Sequence, residues 1–386
     1  MSIPMARKMW GPRRSVQRGG FVLVTMALTT AGVFGVVGLA VDVGRIFIAK
    51  NETQVYCDAA AVAGAMALDG TASGISAAES AIAVSPNKWD FGTRSVSNPL
   101  VTFATAATGP WVSGPNPATG YTYVHVAVTV PVSLFFLPVL VGQWTSNVTA
   151  AAVAGQVSIG SLSRGLAPYA AVSTDTAGPN FGLIVGNSYT IHWPTYNGNR
   201  NGCGVNNPEN CFNSPPCSGD PNNSLSAIVA NWGPQYHGYW GSNSNKDIEE
   251  AVMNVIQLAP LSVGYNLNPL LTPGNKQSEA GYLDRRASQD TDTSDNTPST
   301  YLASSTRNGR RLLPVPIVNP VDPDHTNVIG FGQFLLLANG KPSDYYNRNG
   351  NGNSPYCAVY VGPYNVGSLG PGAGGSTGAS SVRLVK

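Results

Sequence analysis

The chain has 386 residues, enough for one large or two ordinary domains, and only 11% of them are charged against 42% hydrophobic. A formal net charge of +2 leaves no electrostatic footprint for nucleic acid, and the apolar share excludes a disordered chain. Gly (44) and Pro (29), among abundant Asn, Ser and Thr, indicate a β-rich protein with long turn-filled connections, the composition of secreted and surface proteins.

Charge is distributed unevenly along the chain. Residues 1–18 form a basic segment with Arg7, Lys8, Arg13, Arg14 and Arg18 and no acid, whereas beyond Arg45 there are 16 basic and 19 acidic residues. Residues 19–41 carry no charge at all. A helix of about 20 apolar residues crosses a hydrocarbon core of about 30 Å, so this stretch predicts a transmembrane helix. The basic flank precedes it and the first acid, Asp42, follows it directly. That order keeps the N-terminus in the cytoplasm and exports the body. A cleaved signal peptide competes, with a small-x-small site at Gly38-Leu39-Ala40. The apolar run is, however, longer than the core of about 7–15 residues that signals use.

Residues 42–70 contain no proline and become alanine-rich, which predicts that the helix continues, from about Phe21 to Leu68. Val55, Ala59, Val62, Ala63 and Met66 recur at helical spacing as the expected packing stripe. Residues 71–160 read as an α+β membrane-proximal domain. It holds a short helix over 75–84, a strand at 100–104 and a clearer one at 121–130, where Val124, Val126, Val128 and Val130 alternate and His125 falls on the wet face. Alternation resumes over 147–158. Residues 161–366 read as a β-rich, loop-rich exported domain with strands at 181–191, 311–318 and 328–338 and a helix at 248–258. Residues 367–386 read as a flexible Gly/Ser tail.

Several of these residues form an ordered, gapless pattern: Arg18-Gly19-Gly20, then Gly38 with Ala40-Val41-Asp42, Gly44 and Arg45, then Gln54 and Asp58-Ala59-Ala60. The pattern resembles the N-terminal module of TadE/TadG-like proteins of the tight-adherence (Flp-type) pilus assembly machinery. A weaker likeness to that family continues over 124–155, which includes Pro131, Phe135 and Phe136, and over 310–318 and 330–335. The resemblance implies an anchored, non-enzymatic component of pilus assembly or surface adhesion. Its implied partners are other Tad/Flp machinery or envelope proteins and membrane lipid, with self-association through the N-terminal helix. Prepilins cut after a glycine carry a glutamate five residues into the mature chain; here that position is Val24 or Thr25, which favours a retained component over a major pilin.

Cys203, Cys211, Cys217 and Cys357 lie in the expected exported body, where disulfides persist. They allow three pairings, and one bridge within 203–217 plus one to Cys357 is the favoured arrangement. Cys57 is left over, as a subunit bridge or a small packing residue. A zinc site with His192 and His237 competes, although the spacing lacks a C-x2-C knuckle. Asp290, Asp292 and Asp295 alternate like a calcium loop but without its glycine and closing glutamate, so a solvated turn is expected. Trp193, Trp232, Tyr236, Tyr239 and Trp240 leave open an extracellular glycan-binding module. No nucleophile elbow, P-loop or metalloprotease motif is present, and neither an enzyme nor a cofactor is expected.

Overall fold

A computed structural model describes residues 19–138, 142–192, 217, 245–257, 260–267, 277–322, 325–338 and 356–385. It is α+β: one long apolar helix followed by a body built on a mixed sheet.

Helix α1 runs from Gly19 to Ala67 without a break. In its first half the hydroxyl of Thr25 donates back to the carbonyls of Phe21 (2.9 Å) and Val22 (3.0 Å), and that of Thr29 to the carbonyl of Met26 (3.2 Å), so both are satisfied within the helix. Only 6% of its most apolar 18-residue window is buried. Phe21, Leu23, Leu28 and Phe34 stand open, the reverse of a core helix. The helix ends where Gly70 takes φ +82° and Asp69 accepts the Thr71 amide (2.9 Å). Thr71 then caps α2 (Ala72–Ala83) by accepting the Gly74 amide at 3.2 Å.

The outer half of α1 is buried, though not on the expected stripe. Val55 and Met66 are exposed, while Tyr56, Cys57, Ala60, Ala61, Gly64, Ala65 and Leu68 face inward. Side-chain volume chose the face: a Cβ on Gly64 would stand 2.8 Å from Ile82 Cδ1 and 3.4 Å from Val124 Cγ1. Only alanine and glycine admit that approach, and hydropathy alone pointed to the larger residues.

The strands in chain order are β1 (Lys88–Trp89), β2 (Arg94–Ser95), β3 (Leu100–Ala104), β4 (Tyr123–Ser133), β5 (Thr145–Ser158), β6 (Ser161–Leu162), β7 (Ala171–Val172), β8 (Ser188–His192), β9 (Leu261–Ser262), β10 (Leu312–Asp322), β11 (His325–Leu335), β12 (Tyr356–Val366) and β13 (Ala379–Val385). Among the described residues the main sheet has nine strands in the order β3-β4-β5-β13-β12-β11-β10-β7, with β8 also pairing β12. Helices α3 (Asn245–Asn254), α4 (Gln277–Ser288) and α5 (Pro298–Ala303) accompany its C-terminal strands. Tyr169, Phe181, Tyr189, Leu283, Ile317, Phe334 and Tyr360 pack there as a core cluster.

The chain divides into two compact units, one of Met1–Thr53, Lys88–Val96 and Thr129–Ala150, the other of Gln54–Asn87, Ser97–Val128 and Ala151–Lys386. No boundary falls near residue 161, because β13 pairs antiparallel with β5 from Ser380↔Ser158 to Val385↔Val153. The expected flexible tail is therefore an ordered loop and a strand. Its glycines serve turns and close approach: Gly367, Gly374 and Gly378 have positive φ, and a Cβ on Gly375 would overlap Ser158. The strand expected over 181–191 is confined to β8, because Phe181 (φ 52°) and Gly182 (φ 76°) turn the chain while the Phe181 ring fills the core.

Cys217 bonds Cys357 across 140 residues, with Cα atoms 5.8 Å apart. Closing so long a loop restricts the unfolded chain by on the order of 4 kcal/mol. Cys203 and Cys211 lie outside the described residues, and Cys57 is buried outside any bridge.

Candidate functional site

The motif residues form two clamps on α1. The first lies where the bare apolar surface ends. After β4 the chain turns away from the sheet, and the Leu134 amide is taken by the Trp144 carbonyl at 2.9 Å. The next three amides, of Phe135, Phe136 and Leu137, have no strand partner. All three donate to the Asp42 carboxylate, at 2.9, 2.8 and 2.6 Å. Asp42 is fully buried. Burial pushes its carboxyl up, but the amides of Leu137, Phe135 and Phe136 and the charge of Arg45 outweigh that and hold it below the ordinary carboxylate value. One turn earlier a Cβ on Gly38 would lie 2.5 Å from Phe136 Cγ and 2.8 Å from Cδ1, so glycine is the residue that lets this turn lie against the helix.

Arg45, one turn beyond Asp42, pairs with Asp90 at 3.1 Å and lies 4.7 Å over the Phe135 ring. Asp90 is also 3.6 Å from Arg94, which donates to the Pro131 carbonyl at 3.3 Å. Lys50 donates to the Thr149 carbonyl at 2.5 Å. This part of α1 is thus fastened by charge-assisted bonds, from Asp42 and Lys50 to backbone groups and from Arg45 to the Asp90 carboxylate.

The second clamp holds the helix end. Gln54 donates to Asp58 (2.8 Å) and to the Ala151 carbonyl (2.9 Å). Gln156 donates to the Ala65 and Leu68 carbonyls at 2.8 and 2.6 Å, satisfying groups that a helix C-terminus leaves open. Its own oxygen accepts the Ala373 amide (2.8 Å) and the Ser380 hydroxyl (3.2 Å).

The signature residues divide accordingly. Gly38, Asp42 and Arg45 meet in the first clamp, Gln54 and Asp58 in the second, and Ala60 is buried beside it. Gly20, Ala40, Val41 and Ala59 are exposed, and Gly19 begins the helix. Nothing stands within 4 Å of a Cβ on Gly44, so the structure gives no steric reason for glycine there. Arg18 lies outside the described residues. Gln156 escaped the sequence reading because an isolated polar residue in a strand carries no local signal. Phe135 and Phe136 were visible as a family likeness, while their use of Asp42 was not.

Residues 19–67 match the Tad family model, described as Flp pilus-assembly TadE/G-like. The N-terminal module is a TadE/G-like one. No curated protein and no solved structure matches the chain. The Tad match coincides with α1 and ends where Gln156 caps it.

The other expected sites resolve differently. Asp290 and Asp292 are buried while Thr291, Thr293 and Ser294 stay exposed, so the expected solvated turn is solvated on one side only. Asp292 lies 3.5 Å from the fully buried Arg311, and Asp290 accepts the Arg311 amide (2.9 Å) and the Tyr301 hydroxyl (2.6 Å). Burial raises the Asp290 carboxyl, yet Tyr301 and the amides of Asp292, Arg311 and Asn308 hold it below its ordinary value. The run is a counter-charge to Arg311 inside the fold. Among the described residues, no cluster of three His, Cys, Asp or Glu is placed to hold a metal. The zinc and glycan readings rested on the His192 side chain, His237, Trp193, Trp232, Tyr236, Tyr239 and Trp240, which lie outside the described positions.

Proposed function

We propose that the chain is a single-pass, non-enzymatic component of Flp/Tad-type pilus assembly or surface adhesion. In this reading α1 anchors it in the cytoplasmic membrane and the sheet-based body lies outside the cytoplasm. The observation that carries the reading is the coincidence of the Tad match with a helix whose inner half is bare and apolar and whose outer half is clamped by signature residues. The basic segment before the helix supports an N-in orientation. The disulfide supports an oxidising compartment for the body. Partners are other Tad/Flp machinery or envelope proteins, met by the body or by the exposed face of α1.

Deleting the gene and scoring pili and surface attachment tests the role, with loss of both expected. Reporter fusions near residue 385 test the orientation, and activity of a cytosolic reporter there would overturn it. Normal piliation in the deletion strain would remove the pilus part and leave an envelope protein.

A further inference from the structure

We propose that the two ends of the connection between β4 and β5 make a second membrane contact, with Phe136 and Trp144 seated in the headgroup–acyl boundary of the same bilayer that α1 crosses. The inference rests on α1 being a membrane anchor, and adds to it a surface that the Tad module, residues 19–67, does not include.

Depth is the first argument. Just after β4 the backbone is fixed to α1 at Asp42, the first residue after the uncharged span, by three hydrogen bonds from its amides to the carboxylate. Phe136 reaches back to Gly38, a further turn into that span, or about 6 Å of helix. If the span lies in lipid, the Phe136 ring sits at the depth of residues that do.

Surface is the second. Phe135, Phe136 and Trp144 are 57%, 42% and 71% exposed, beside open Val37, Leu39 and Val41 on the helix. From Val132 to Trp144 the sequence holds no charged residue. Charged groups begin immediately outward instead, with Arg45 on the helix and Arg94 on β2 both paired with Asp90, and Lys50 bonded to the Thr149 carbonyl, the change from apolar to charged surface that a membrane interface requires.

Hydrogen bonding is the third argument and favours lipid over a protein occupant. Backbone that enters hydrocarbon must satisfy its polar groups internally. Among the described residues of the connection, the Leu134 amide goes to the Trp144 carbonyl, those of Phe135 to Leu137 go to Asp42, and the Gly142 amide goes to the Pro138 carbonyl at 2.9 Å. A surface built to dock another chain's backbone would leave such donors free.

The test uses the full chain in phosphatidylethanolamine–phosphatidylglycerol vesicles, with a genetically encoded photo-crosslinking amino acid at Phe136 or Trp144. Phe34 in the span is the anchor control, and exposed Phe91, whose amide contacts Glu52 well beyond Asp42, is the aqueous control. Lipid adducts at positions 34, 136 and 144 and none at 91 are expected. Adducts at 34 with none at 136 and 144, or with crosslinks there to a second copy, would overturn the turn's role and leave the anchor standing. No lipid adduct at 34 would overturn both. Should the crosslinker disturb folding, the fluorescence lost in the Trp144→Phe variant serves instead. Lipids brominated near the headgroup are expected to quench that component about twofold in the native chain, and no quenching would overturn the proposal.

Discussion

The two halves of α1 have similar helical backbone and opposite surroundings. The inner half offers Phe, Leu, Val and Met outward on all sides, while the outer half turns Ala60, Ala61, Gly64 and Ala65 inward and leaves Val55 exposed. Large apolar side chains are thus displayed along the first half, and in the second half mostly small ones are buried where another element must approach. Apolar content does not separate the two environments. Side-chain size and the polar groups nearby do, and each clamp centres on a buried polar residue, Asp42 in the first and Gln156 in the second.

The largest expected effect breaks that contrast at its junction. Asp42→Ala leaves three amides without their acceptor and is expected to cost about 3 kcal/mol, read as a lower unfolding midpoint in detergent and new proteolysis within 134–144. Asp42→Asn keeps an acceptor oxygen and is expected to lose less. Gly64→Leu, which would drive a side chain into Ile82, is expected to cost about 2 kcal/mol. Gly32→Leu has nothing within 4 Å and should leave the midpoint unchanged, and an equal loss at both positions would erase the distinction between the halves. Gln156→Ala removes the cap on two helix carbonyls and is expected to cost about 1–2 kcal/mol, with faster hydrogen exchange in the last turn of α1 than in its middle. Because the folded Asp42 carboxyl lies below its ordinary 3.8, its contribution is complete above that value and declines as pH falls through the lower folded one. The midpoints of the native chain and Asp42→Asn should therefore converge on acidification, and a constant gap would sink this account. Arg45→Lys is the mildest, about 0.5 kcal/mol, because the pair with Asp90 is partly solvated and what is lost is chiefly stacking on Phe135.

Elements with a strong local period were legible in the sequence. Helix α1 was expected from Phe21 to Leu68 and runs from Gly19 to Ala67, and the alternating valines of β4 are buried as a face. Elements whose reason is tertiary were not. Strand β12 is buried along nearly its whole length despite Gly362 and Pro363, and β13 follows a glycine-rich loop that composition alone marks as flexible. The same holds at the clamps. Asp42 stood out within its motif, but its ligands lie more than 90 residues away in sequence, and no spacing rule links a helix carboxylate to three amides after a strand. Asp290 and Asp292 looked like surface because nothing local announces that Arg311 waits beneath them.

The placement of β13 bears on how the chain reaches its native state. It lies between β5 and β12, and Gln156 on β5 meets Ser380 across 224 residues of sequence. Until that late segment arrives, β5 presents an open edge and α1 lacks part of the network that caps it. Such a topology is slow to close and leaves unpaired backbone available to neighbouring chains. A newly made chain therefore passes through an interval in which that edge is exposed, and the interval closes when β13 pairs with β5.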